Sequence, residues 1–399
     1  MENKKYRILL VHNYYKYPGG EGIVVENEKQ MLEENGHFVY VYSRSNNEID
    51  EYNIFQKILL PINCVFNIKT YCDIKKIIKK NNIDIVHIHN TINIISNSVY
   101  FAANKCKAPV VQTIHNFRFV CPNGLFFRNR NICEECIENN LLCSIIHKCY
   151  RNSFFETLLS VINIKIIRNS GLLRKINYIC LTEFNKRKLL TLNTIKKSKL
   201  IDERRVYIKP NFVENIVNDF VKPKNRDDYY LFASRLDESK GIKILLQAWK
   251  NIKDKKLLVC GSGIFEEWCK TFIKENKMNN VIFMGQVENR ELINLMSKSQ
   301  ATIFLTKLYE GMPLTIIESF SVGTPVIVSN IGNAANMVED GINGYKCNVN
   351  NIDEIREVID KKLRKGMYSN AYNEYLNKYT KKNNYEILIS IYRKAIENK

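Results

Sequence analysis

The sequence predicts an α/β protein built from two doubly wound parallel-sheet domains. Two observations predict it. Short apolar runs alternate with helix-patterned stretches along the chain, and that alternation stops over residues 207–228 and then restarts. Strands alternating with helices imply a parallel sheet covered by helices on both faces. Residues 7–11 (Arg-Ile-Leu-Leu-Val) read as the first strand and 22–35 as a helix stopped at Gly36. Strands follow at 38–42, 83–88, 109–114 and 177–181, with helices over 69–80 and 96–106. The stretch 207–228 holds two prolines, several asparagines and a charge cluster, and reads as a domain boundary. Strands then resume at 229–233, 256–260, 280–284, 301–305 and 325–329. Helices fill 241–251, 264–275, 289–297 and 313–321, and 351–398 reads as helical with breaks near Gly366. The expected domains are 1–210, with a cysteine-rich insertion at about 117–150, and 211–380. A last helix over 381–399 is a candidate to return to the first domain. Ligands of such sheets bind beyond the carboxyl ends of the strands. That draws attention to loops 12–22, 89–93, 115–124, 234–240, 261–263, 285–288 and 306–313.

The 399 residues are 45% hydrophobic and 25% charged, which excludes disorder and collagen for the bulk of the chain. The net charge is +19, and residues 1–210 carry most of it, with 32 Lys/Arg against 18 Asp/Glu. A solvated basic surface accounts for this as well as an anionic partner does: a phosphorylated lipid, a membrane face or nucleic acid. The apolar run after Arg7 is only Ile8 to Val11, too short for a secretory signal, and no stretch has the length of a transmembrane helix. A cytoplasmic protein is therefore expected. Its twelve cysteines are then thiols or metal ligands rather than disulfides.

Residues 309–318, Tyr-Glu-Gly-Met-Pro-Leu-Thr-Ile-Ile-Glu, carry the densest chemistry. Glu310 lies in a loop after a strand, and Pro313 suits the first turn of a helix. The free amides of that helix terminus form an anion site. Glu318 falls on the same helix, so two carboxylates stand ready to accept bonds from sugar or ribose hydroxyls. A capping Glu and an exposed helical Glu would read the same way. The loop Ser234-Arg235-Leu236-Asp237-Glu238-Ser239-Lys240-Gly241 also follows a strand and opens a helix. Arg235 offers a planar fork and Lys240 a point charge for a diphosphate. Gly261-Ser262-Gly263 leaves room for close backbone approach.

Together these stretches resemble the retaining glycosyltransferases of family 4, which have the GT-B fold: two Rossmann-like domains facing a cleft. The likeness is strongest over 229–345 and specific in 304–345, FLTKLYEGMPLTIIESFSVGTPVIVSNIGNAANMVEDGINGY. It implies a nucleotide-diphosphate sugar donor whose sugar hydroxyls meet Glu310 and whose ribose is held by Glu318. Arg235 and Lys240 would neutralise the leaving diphosphate, with amides around Gly311, Met312, Leu314 and Thr315 on the phosphates and Gly261 beside them. Residues Gly285 to Val287 would lie beside the base. No metal is implied for catalysis.

In the first domain, Tyr17-Pro18-Gly19-Gly20-Glu21-Gly22 reads as a glycine turn feeding a helix terminus. By resemblance, Gly19 and Gly20 close over the donor phosphates. His87, His89 and His115 sit at strand ends; His115 matches a family position near the reacting sugar, although a packed core histidine would read the same. Cys133 and Cys136 have the Cys-x-x-Cys spacing of a structural zinc site, which Cys121 and Cys149 would complete, with Cys143 and His147 as spares. Reduced thiols lining an acceptor loop are the alternative. The stretch also resembles a family 4 subgroup with a CPNG…CxxC insertion. The apolar helix over 153–168, with Arg151, Lys165, Arg168, Arg174 and Lys175 around it, fits either an anionic membrane surface or packing on its own sheet.

No carboxylate is placed as a nucleophile, so the expected chemistry is same-face attack with retention, in surface polysaccharide synthesis (capsule, O-antigen or exopolysaccharide) on a glycan or polyprenyl-diphosphate-linked acceptor. A nucleic-acid-binding protein is the competing class, but no recognition motif accompanies the charge and no nucleic acid is expected. A GT-B epimerase or phosphorylase, or an inactive homologue, would lack the flanked pair of glutamates or the intact Arg235 and Lys240.

Overall fold

The computed structural model describes residues 4–16, 19–195, 199–214 and 225–398. The chain divides into two compact units. Unit 1 comprises residues 1–126, 134–210 and 384–399; unit 2 comprises 127–133 and 211–383.

Unit 1 carries a six-stranded parallel sheet in the order β2-β1-β3-β4-β7-β8. Its strands are β1 (Arg7–Tyr14), β2 (Phe38–Ser45), β3 (Ile85–Asn90), β4 (Val110–Ile114), β7 (Asn177–Cys180) and β8 (Val206–Ile208). Ile8 to Val11 and every residue of β3 and β4 are buried, as a sheet covered on both faces requires. Neighbouring strands diverge in order between β1 and β3, so the crevice of this unit lies beyond their carboxyl ends.

Unit 2 repeats the plan with β11-β10-β9-β12-β13-β14, all parallel. The strands are β9 (Tyr229–Ala233), β10 (Lys256–Cys260), β11 (Val281–Gly285), β12 (Ala301–Phe304), β13 (Val326–Ser329) and β14 (Gly344–Cys347). The order reverses between β9 and β12. Its core includes Trp249, fully buried and edge-on to Tyr230 at 5.6 Å between ring centroids. A two-residue hairpin, β5 (Phe127–Arg128) with β6 (Asn131–Ile132), also belongs to this unit.

Every strand expected from the apolar runs is present, and each sheet has a sixth that was not expected. β8 has three residues and runs into the start of the stretch read as a boundary; β14 has four and includes Lys346. Both are too short for periodicity to register. Part of the expected boundary, residues 215–224, lies outside the described residues, as do Tyr17 and Pro18 of the glycine turn. Four expectations are corrected. Residues 127–133, read as part of the first domain, group with unit 2, where Arg130 Nε lies 3.9 Å from Glu238. Pro313 caps its helix, with ψ of 120°, rather than entering it, so the helix is Leu314–Ser321. The C-terminal region breaks at 361–364, and Gly366 lies inside the helix Lys365–Lys378. A helix, Ile54–Val65, forms where none was read, because Pro61 masks its pattern.

Candidate active site

In unit 2 the loops after β9 and β12 meet. Asp237 caps a single turn, Glu238–Lys240, by accepting a bond from the Ser239 amide at 2.9 Å. That turn places Lys240, whose Nζ donates to Glu310 Oε1 at 2.6 Å. Thr306 Oγ1 donates to the same oxygen at 2.8 Å. Both charged side chains are largely buried, with 13% and 15% exposed. The loop is set by Asn333, whose Nδ2 donates to the carbonyl oxygens of Glu310 and Gly311 at 2.6 Å each. Met312 is buried, its carbonyl accepting from Asn211 Nδ2 at 3.2 Å.

The helix Leu314–Ser321 starts from Pro313 with no side-chain cap, leaving its first amides, including those of Leu314 and Thr315, without intrahelical partners. Glu318 on this helix is half-buried and accepts from Asn289 Nδ2 at 3.0 Å. Burial holds its carboxyl above the usual carboxylate range. Arg235 is two-thirds exposed and lies 3.0 Å from Asp237, away from the Lys240–Glu310 pair. At Gly261, φ is +134° and a Cβ would come within 2.0 Å of the Ser234 carbonyl oxygen. The close backbone approach expected there is made by the chain itself.

In unit 1 the crevice holds four histidines. His89 Nδ1 and His115 Nε2 are 2.9 Å apart with stacked rings. His87 bonds Tyr392 OH and Thr113 Oγ1, both at 2.8 Å, and is a satisfied core residue. Burial lowers all four: His12 to about 4, His115 to about 3, and His87 and His89 well below the usual range. They are neutral near pH 7. Beside them Glu28 Oε1 accepts from Lys209 Nζ at 2.5 Å, and Asn384 Oδ1 accepts from the same ammonium at 3.0 Å. Glu28, His87 and His89 have the spacing of a metal site, but the Lys209 ammonium already supplies the positive charge.

Gly19 caps the helix Gly20–Glu34 in an extended conformation, and a Cβ there would meet nothing within 4 Å. One residue into that helix, the Glu21 carboxyl lies 3.9 Å from His12 Nδ1 and is pushed up to about 8 by burial, against the pull of Arg118. A cavity of about 450 Å³ in this unit is lined by His89, Asn90, His115, Arg118, Tyr150 and Phe155 among others.

Comparison with known proteins places this geometry. The family "Glycosyl transferases group 1" matches residues 215–383, and "Glycosyltransferase Family 4" matches residues 18–137. The chain is a family 4-type glycosyltransferase. It is 22% identical over 402 residues to an uncharacterised glycosyltransferase of Methanocaldococcus jannaschii, covering 98% of each chain. It is 24% identical over 355 residues to the Escherichia coli UDP-Gal:alpha-D-GlcNAc-diphosphoundecaprenol alpha-1,3-galactosyltransferase, covering 85% of this chain and 82% of that one. Among solved structures, a Rickettsia africae glycosyltransferase superposes with TM-score 0.69 at 20% identity, covering 99% and 100%. Anabaena HepE in complex with UDP gives 0.63 at 15%, covering 98% of each. The fold is GT-B.

Of the residues expected to act in this glycosyltransferase, Lys240 and Glu310 are brought into contact, with Gly311 beside them; Arg235 is not drawn to the pair. Glu21, Arg118 and Lys209 were missed. Glu21 had a signal, since it directly follows the Gly-Gly pair, but nothing in its neighbourhood announces burial. His147 leaves the cysteine group to pair with Glu135 at 3.4 Å. Arg168, one of the cations around the 153–168 helix, is buried and donates to the Phe119 carbonyl at 2.7 Å.

The neutral histidines make unit 1 acid-sensitive. A histidine whose folded pKa is depressed contributes stability above its unfolded pKa and loses it as pH falls from about 6.5. Glu21, raised in the fold, acts with the opposite sign. Comparing wild type with His115→Gln cancels that common term. The melting-temperature gap between the two is expected to shrink steadily from about pH 7 to pH 5. A constant gap would mean that His115 carries no such linkage.

Proposed function

We propose that this glycosyltransferase moves a hexosyl group, with retention, from a nucleotide-diphosphate sugar to a glycan or polyprenyl-diphosphate-linked glycan in surface polysaccharide synthesis. The Lys240–Glu310 pair carries the reading. Without a donor, Glu310 satisfies the ammonium. An arriving diphosphate competes for Lys240 and frees the Glu310 carboxylate for the hydroxyls of the donor sugar. Exposed Arg235 and the open helix terminus at Leu314 and Thr315 add positive charge for the phosphates. Glu318 accepts from the ribose. The acceptor hydroxyl attacks from the face that the diphosphate leaves, and the departing phosphate oxygen takes its proton. His115 and the unit 1 cavity serve acceptor binding.

A membrane-borne acceptor is supported by the helix Ile54–Val65. It has no buried residue, and Phe55, Ile54 and Ile58 are 78%, 74% and 66% exposed. Phe155 on the helix Phe154–Asn169 is 75% exposed. This apolar surface lies on the more basic half of the chain and suits the inner face of an anionic membrane. Among the described residues no helix is long and apolar enough to cross one.

The test is nucleoside diphosphate release from UDP-, GDP- and ADP-sugars, with and without lipid-linked acceptor in anionic vesicles. One donor should be hydrolysed or transferred, and Glu310→Ala should abolish release. A Phe55→Asp/Ile58→Asp variant should lose only the vesicle-dependent part. Absence of both release and calorimetric binding for every donor would overturn the reading; vesicle-independent activity would overturn the membrane part alone.

A further inference from the structure

Two buried atoms in unit 1 lack a hydrogen-bond partner and face one another. Glu28 Oε2, on the helix Gly20–Glu34, lies 3.5 Å from His89 Nε2, on β3, and both side chains are fully buried. We propose that Glu28 and His89 are positioning residues that fix the tautomer of His115, so that His115 offers the unit 1 cavity a bare Nδ1 that accepts a hydrogen bond from a sugar hydroxyl. The substrate class rests on the acceptor-binding reading of that cavity.

The protons can be placed one after another along the chain of contacts. Lys209 takes the other oxygen of Glu28, so Oε2 is the acceptor left over. A carboxylate oxygen only accepts, and the two unpartnered atoms are satisfied together when His89 carries its proton on Nε2. The opposite tautomer would set a nitrogen lone pair against the carboxylate and leave both buried groups unpaired. His87 does not compete, because its Nδ1, 3.7 Å from the same oxygen, bonds Tyr392 OH at 2.8 Å. A neutral imidazole protonated on Nε2 has its lone pair on Nδ1. His89 Nδ1 is 2.9 Å from His115 Nε2, so the His115 nitrogen donates and bears the proton. His115 Nδ1 is then bare, and it makes no hydrogen bond with the described residues. His115 is half-buried and lines the cavity. A bare ring nitrogen accepts from a hydroxyl and repels a phosphate or carboxylate oxygen. Burial lowers His115 to about 3, so it orients the hydroxyl without removing its proton.

The chain has six histidines, few enough to label with ¹⁵N and assign by single His→Gln variants. Long-range ¹H–¹⁵N correlation spectra of the full chain at about pH 7 should show the proton on Nε2 of both His89 and His115. A proton on Nδ1 of either ring would overturn the assignment. Glu28→Leu/Lys209→Met removes the carboxylate together with its buried counter-charge. In that variant His115 should become a mixture of tautomers, and an unchanged His115 would overturn the role of Glu28. The wild-type spectrum decides the tautomers even where the variant fails to fold. In transfer to lipid-linked acceptor in vesicles, the same variant should raise the acceptor KM about three- to tenfold, the worth of one hydrogen bond, with donor binding by calorimetry unchanged. An unchanged KM would overturn the hydroxyl contact. Absence of transfer in the wild type would overturn the acceptor reading instead, and the spectra, which need neither donor nor acceptor, separate the two failures.

Discussion

Lys240→Ala is expected to lower turnover by about 10²- to 10³-fold, the usual cost of removing one preorganised donor from developing negative charge. The effect should fall mainly on kcat, because charge on the leaving diphosphate grows toward the transition state and strengthens a contact weaker in the ground state. The geometry adds a second reason. Lys240 is fixed by the Asp237-capped turn and by Glu310 at 2.6 Å, so the ammonium is in place before the donor arrives. Lys240→Arg should recover little, since the guanidinium fork does not fit the compact position shared with Glu310 and Thr306. Steady-state kinetics at saturating donor, with circular dichroism to show an intact fold, make the measurement. Near-wild-type kcat in Lys240→Ala would remove this pair from the mechanism.

Lys209→Met is expected to be the most damaging single change to stability. The Lys209 and Glu28 side chains are both fully buried and 2.5 Å apart. Removing one member of a buried pair leaves an uncompensated charge, at a cost of about 3–5 kcal/mol. For a unit of this size that corresponds to a fall in melting temperature of roughly 10 °C. The double variant Glu28→Gln/Lys209→Met should recover more than half of the loss, because neither buried site is then charged. Differential scanning calorimetry of the three variants decides it. Equal melting points for wild type and Lys209→Met would show that the pair contributes nothing.

The two predictions differ in how much of them could be read from sequence. Lys240 stands in a loop that follows an apolar strand and precedes a helix, and both flanks are local patterns. Glu310 is legible for the same reason, with Gly311 and Pro313 marking the turn. Nothing local marks Lys209. It precedes Pro210 in a stretch that reads as a boundary, and its partners, Glu28 and Asn384, are 181 and 175 residues away. Glu21 and Arg118 are hidden in the same way, for burial comes from elements distant in the chain.

By itself, the amino-acid sequence determined the α/β class, ten of the twelve sheet strands and the loops that hold Lys240, Glu310 and Glu318. Each depends on periodicity or turn chemistry within a few residues. Only the tertiary structure decided that Lys240 bonds Glu310 while Arg235 turns to Asp237. It alone decided that the chain's own Ser234 carbonyl fills the space at Gly261, and that Cys143 rather than His147 stands against Cys136. Such pairings are set by how strands register and loops converge, and a contact between residues far apart in the chain leaves no period in the sequence.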